Sequence, residues 1–233
     1  MLNKLIKELE GLKNPEQAKL LQRFFKTGKG EYGEGDIFLG IKVPVQRKIA
    51  EKYKELNLIK INELLKSKIH EHRLVGLIIL VNKYKSSSEK EKENLFHFYL
   101  NNTKFINNWD LVDLSAPNIV GDFLLNKDRK ILYSLANSEN LWNRRIAIIS
   151  TFNFIRKKEF EDALTISEIL LKDKQDLIHK AVGWMLREIG KKDETILENF
   201  LRFHYKHMPR IMLRYAIEKF PEEKRKRYLN GKI

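Results

Sequence analysis

The chain has 233 residues, a formal net charge of +14 and no cysteine. That length buries a proper core without staples, the missing thiols exclude disulfides and thiolate metal sites and fit a reducing cytoplasm, and no apolar run of about 18 residues exists to span a membrane. The charge excess asks for a polyanionic partner, nucleic acid first and an anionic membrane surface second.

In chain order, Met1 to Glu10 carries acids and soon becomes amphipathic, unlike a signal peptide. Residues 2–12 and 15–26 predict two short helices, with Asn14 and Pro15 as a cap and first-turn pair. Residues 27–36 carry four glycines and read as a loop. It has no Gly-Lys-Ser/Thr ending and no strand before it, so a nucleotide P-loop is not expected. Residues 38–44 read as an extended or turn segment, after which Pro44 opens a helix with Gln46, Arg47, Lys48 and Lys52. From there the 3.6-residue period dominates. It predicts helices over 60–67, 71–84, 89–101, 108–125, 128–136, 141–155, 159–172, 176–190, 193–205, 208–219 and 221–228. Pro117 should kink the 108–125 helix or split it near Ser115.

Helix pairs recur at a spacing of roughly 35–40 residues, the period of HEAT-like arrays. Residues 74–80, 145–149 and 180–186 look like equivalent second helices, with small residues for close packing. The expected fold is all-α, an α-α superhelix or HEAT-like repeat solenoid with one concave face, in a single domain over 1–233.

The chemistry concentrates around residues 107–113. Asn107 or Asn108 can cap a helix N-terminus, which places Trp109 and Asp113 at i and i+4 on one face. An acid beside an aromatic plate suits a cationic ligand. The plainer reading is a core tryptophan with dipole-friendly acids in a first helical turn, and Asp110 is turned away from Trp109. Glu71 and Arg73, two apart, read as structural ion pairs to a neighbouring helix. The histidines show no spacing for a metal site. Arg144 and Arg145 begin a helix. Lys180, Trp184, Arg187 and Lys191 share one helical face, a plausible seat for a phosphate backbone. Equally, Trp184 is core and the cations are merely solvated.

Three stretches then resemble one family in register: Asn108 to Asp113, Trp142 to Ile148, and Lys180 to Glu188. The segments Gly30 to Gly40 and Arg214 to Lys219 are similar as well. The family is that of the AlkD-type DNA alkylation-repair glycosylases, and the resemblance covers nearly the whole chain. It implies a HEAT-like solenoid holding duplex DNA in a basic concave groove. It implies monofunctional excision of cationic N3- and N7-alkylated purines such as 3-methyladenine and 7-methylguanine, without flipping of the base. Residue by residue, it makes Asp113 the catalytic carboxylate, Trp109 and Trp184 aromatic walls, and Arg145 a phosphate clamp, with Arg187 a further basic position. Arg144, Lys180 and Arg47 are counted with the DNA-binding cations. Phe24 stands where the family often has a tyrosine, which keeps an aromatic contact and loses a hydroxyl. No cofactor or metal is implied, nor a membrane or an obligate protein partner; the partner is double-stranded DNA with alkylated bases, and the protein is expected to be a cytoplasmic monomer. Two rival readings share the fold: a non-catalytic solenoid that recognises distorted or branched DNA, and a protein-binding HEAT scaffold whose charge is incidental.

Overall fold

The computed structural model describes residues 1–233, and the chain divides into two compact units, Met1–Ser115 and Ala116–Ile233. Both are built of helices. No strand forms; Ile37 and Ile69 meet in an isolated parallel bridge.

The first unit contains α1 (Leu2–Gly11), α2 (Pro15–Phe24), α3 (Val43–Lys52), α4 (Leu58–Leu65), α5 (His70–Ser86), α6 (Glu89–Asn101) and α7 (Trp109–Ala116, whose last residue lies past the boundary). The helix ends follow from local chemistry. Asn14 caps α2 by accepting from the Gln17 amide at 3.0 Å, with Pro15 at the first helical position. Ser88 and Glu91 form a reciprocal capping box at the start of α6. The central element is α5, which is buried along nearly its whole length and packs against α3 and α4. Its middle stretch, Leu74 to Val81, is apolar on all sides, so it has no amphipathic stripe and belongs inside. Gly76 allows the approach of α4: a Cβ there would stand 3.2 Å from that of Leu64.

The second unit contains a π-helical turn at Pro117–Gly121, then α8 (Lys130–Ala136), α9 (Leu141–Ser150), α10 (Phe152–Arg156), α11 (Glu161–Ile169), α12 (Asp176–Lys192), α13 (Glu194–His204), α14 (Arg210–Ala216) and α15 (Glu222–Leu229). Helix α9 is buried along most of its length, and α12 buries one face through residues such as Ile178, Ala181, Val182 and Met185. Helix α12 contacts α9, α13 and α14. Gly183 sets the α12–α14 distance, because a Cβ would come within 2.5 Å of both the Met212 carbonyl oxygen and the Tyr215 Cβ.

Pro117 neither splits the helix nor ends it at Ser115. The backbone widens into the π turn instead, and α-helical residues follow at 122–123. Proline has no N–H to donate, so a wider turn re-registers the hydrogen bonds around it. The Asn153 side chain donates to the Pro117 carbonyl at 2.8 Å.

Candidate functional site

In the first unit, Trp109 opens α7, and Asn108 before it is buried, its side-chain oxygen accepting from the Trp109 amide at 2.8 Å. Asp113 lies one turn on and is partly buried. The indole rests on an aromatic stack. Phe25 lies parallel to it with centroids 5.1 Å apart, Phe38 stacks on Phe25 at 5.0 Å, and the His70 ring stacks on Phe38 at 4.5 Å. Phe24 meets Trp109 edge-on at 5.8 Å and remains 63% exposed. Offset and edge-to-face pairs of this kind each contribute about 0.5–1.5 kcal/mol beyond burial. The Tyr32 hydroxyl donates to the Phe24 carbonyl at 3.4 Å, so a phenol stands beside the residue that lacks one.

Beneath the stack lies a buried ionic cluster. His70 places Nε2 2.8 Å from an Asp110 oxygen and Nδ1 3.3 Å from an Asp36 oxygen. Arg73 lies 2.7 Å from the same Asp36 oxygen, and the Asn108 amide donates to it at 3.3 Å. Burial alone would lower the pKa of His70, but the charge and hydrogen bond of Asp110, with the hydrogen bond to Asp36, raise it to about 9. Burial would likewise push Asp36 up. The hydrogen bond from His70, the charges of Arg73 and His70, and the Asn108 bond instead hold it below the usual carboxylate range. At neutral pH the cluster is therefore an imidazolium and a guanidinium between two carboxylates.

Glu71 is also buried, and it makes no ion pair to a helix. Its carboxylate accepts from the amides of Leu39, Gly40 and Ile41 at 2.9, 2.8 and 3.2 Å. The backbone of Gly40 has a φ of +86° and packs so closely on α2 that a Cβ would lie 2.2 Å from the Asn14 carbonyl oxygen. Glu71 thus pins the segment that carries Asp36 and Phe38. The glycine loop before it uses its own acids: Gly28 and Gly30 donate to the Glu31 and Glu34 carboxylates, both at 2.8 Å.

In the second unit, Arg144 and Arg145 start α9 with different surroundings. Arg144 binds Asp173 at 2.6 Å and donates to the carbonyls of Ser138 and Glu139. Arg145 is 5% exposed and donates to the Leu177 carbonyl at 2.6 Å. On α12, Trp184 is half-buried, lies 6.0 Å from Phe152 and donates through its indole N–H to Glu188 at 3.1 Å. Lys180 pairs with Asp176, Lys191 with Glu188, and Arg187 with Glu218 and Glu188. The basic stripe of α12 is real, and each of its cations has an acid beside it. Arg47, on α3, is exposed.

The structure brings Phe24, Trp109 and Asp113 into the first unit and Arg144, Arg145, Lys180, Trp184 and Arg187 into the second. Sequence reasoning missed Asp36, His70, Arg73 and Phe25 as the support of Trp109. The available signal was His70 and Arg73 at i and i+3 in the first turn of a buried helix, where two charges need carboxylates close by.

These features define an all-helical protein of stacked helix pairs, with an aromatic platform on a buried ionic base and arginines opening a core helix. The chain belongs to the family of DNA alkylation repair enzymes, whose model matches residues 5–220. A solved structure described as a predicted DNA alkylation repair enzyme from Enterococcus faecalis superposes with a TM-score of 0.68 at 18% identity, covering 90% of this chain and 97% of that one. At that identity the likeness speaks for the fold. No curated protein matches in sequence. No helix is long and apolar enough to cross a membrane.

Proposed function

We propose that the protein is a monofunctional DNA glycosylase that hydrolyses the N-glycosidic bond of cationic N3- or N7-alkylated purines in duplex DNA. The observation that carries this reading is Trp109 and Asp113 one turn apart on α7, with the indole set on a rigid aromatic stack. Family membership supports a DNA substrate.

Alkylation at N3 or N7 puts a positive charge on the purine and weakens its bond to C1′. As that bond breaks, its electron pair goes to the base, which leaves neutral, and the sugar becomes oxocarbenium-like. The Asp113 carboxylate stabilises this charge and orients the water whose oxygen bonds to C1′, while the water's proton passes to Asp113 or to solvent. The faces of Trp109 and Trp184 attract the cationic nucleotide, and Phe24 offers an exposed aromatic edge beside Trp109. Arg145, with Arg144, Arg187, Lys180 and Arg47, is assigned to the phosphate backbone. On this reading the chain acts as one DNA-binding and glycosylase domain, as a monomer and without base flipping.

The test is single-turnover release of 7-methylguanine from a duplex at saturating enzyme. Asp113→Asn keeps the shape and removes the charge. Release should fall by orders of magnitude, since a term of this kind is worth about 3–4 kcal/mol in oxyanion cases, with plain-DNA affinity unchanged or slightly tighter. Excision at the wild-type rate would overturn the catalytic assignment. Salt-sensitive DNA binding without release from any alkylated duplex would leave a non-catalytic DNA-binding protein.

A further inference from the structure

We infer that His70 is a positioning residue for Trp109: bridged between Asp36 and Asp110, it fixes the first turn of α7 and holds the indole on its aromatic stack. The inference rests on the proposed role of Trp109 and extends it to a residue that never touches DNA.

Three segments distant in sequence meet at this imidazole. Asp36 comes from the loop after α2, His70 and Arg73 from the start of α5, and Asp110 from the first turn of α7. The histidine side chain is 2% exposed, so each bond replaces a lost hydration and cannot be exchanged for water at no cost. Both ring nitrogens face carboxylates, which only the doubly protonated ring satisfies as a donor to each. The same ring lies at the inner end of the stack that runs through Phe38 and Phe25 to Trp109. His70 therefore grips Trp109 twice. It holds the helix backbone through Asp110, the next residue, and the indole plane through the rings between them. Loss of its proton removes one donor and leaves two carboxylates facing a neutral ring, with Arg73 the remaining cation. The first turn of α7 then loosens.

The geometry predicts a pH response of Trp109 set by His70. The charged groups facing it are Asp36, Asp110 and Arg73. The experiment is 19F NMR of protein labelled with 5-fluorotryptophan, the three signals assigned by single Trp→Phe variants. In wild type the Trp109 signal should move with a midpoint near the about 9 of His70, while Trp142 and Trp184 stay fixed. Asp110→Asn removes the strongest partner of the imidazolium and should lower that midpoint. His70→Gln should shift and broaden the Trp109 signal already at pH 7 and abolish its titration. In the base-release assay it should slow excision about tenfold to a hundredfold, the cost of a misplacement near 1 Å, with plain-DNA affinity unchanged within about twofold.

A Trp109 signal that is flat from pH 7 to 10 in wild type, or unchanged in His70→Gln, would overturn the inference. A His70 of purely structural importance would lower the melting temperature of His70→Gln and leave the Trp109 signal in place until global unfolding. Should His70→Gln fail to fold, the wild-type and Asp110→Asn titrations decide. Should wild type release no alkylated base, the glycosylase reading falls, and the 19F titration still decides whether His70 positions Trp109.

Discussion

The ionic cluster under Trp109 makes a quantitative statement about stability. His70 holds its proton up to about 9 in the folded protein, against an ordinary value of 6.5. Each pH unit of difference is worth about 1.36 kcal/mol, so protonation of His70 contributes on the order of 3 kcal/mol. The sign follows from which state holds the proton. Below pH 6.5 both states hold it, and the contribution is fully present. Between 6.5 and about 9 the folded state keeps a proton that the unfolded chain has lost, so stability falls by about 1.36 kcal/mol per pH unit. Above about 9 the contribution is gone. The assay is urea unfolding of wild type and His70→Gln at steps from pH 6 to pH 10. Taking the difference between the two proteins cancels every other titrating group that the substitution leaves alone. That difference should shrink by about 3 kcal/mol across the range, with most of the change between pH 7 and pH 9. A difference that stays constant within about 0.5 kcal/mol would refute the reasoning, because it would mean that His70 titrates alike in both states.

Other perturbations test other links. Glu71→Gln turns an amide N–H toward a backbone donor and removes the charge from three hydrogen bonds; it should cost about 2–4 kcal/mol in urea unfolding and speed amide exchange at Leu39 to Ile41. Gly183→Ala drives a methyl into the Met212 carbonyl and the Tyr215 Cβ; it should lower the melting temperature by several degrees, for a cost of about 1–3 kcal/mol. Trp184→Ala removes a half-buried ring, so the variant should fold at a cost below the about 3–5 kcal/mol of a core tryptophan, with excision impaired more than binding to plain DNA.

Much of the fold was legible because helix signals are local. The 3.6-residue period located the long helices, and the neighbouring pair Asn14 and Pro15 marked the start of α2. The small residues Gly76 and Gly183 pointed correctly to close helix packing, since a Cβ there would press on Leu64 or on Met212 and Tyr215. Pro117 was read correctly as a break in the regular hydrogen-bond ladder, but the split near Ser115 does not occur and a π turn takes its place. The missing N–H is local, whereas the Asn153 side chain that donates to the Pro117 carbonyl lies 36 residues away. The placement of Trp109 and Asp113 on one helical face was readable from spacing alone. Its support was not, because Asp36, His70 and Asp110 come from separate segments and nothing in their spacing links them. Glu71 shows the same limit: a buried acid beside an arginine suggests a salt bridge, and the partners proved to be three backbone amides. The acid partners on α12 divide on this line. Asp176 and Glu188 lie within one helical turn of the cations they pair with, whereas Glu218 is on another element.

The pairing of the α12 cations has a kinetic consequence. If the α12 cations meet DNA as proposed, Asp176, Glu188 and Glu218 already occupy the ground beside Lys180, Lys191 and Arg187 where phosphate oxygens would have to bind. A duplex arriving there would exchange one anion for another, and the displaced carboxylate would regain its own hydration and its share of the surrounding cations. Part of the entropy gained by releasing cations from DNA is returned in that exchange. Each such contact should then add less than the usual 0.9 or so to the salt dependence of binding. On the proposed function, undamaged duplex would then be held more weakly than the bare charge of the stripe implies, and a target that itself supplies attraction would be favoured.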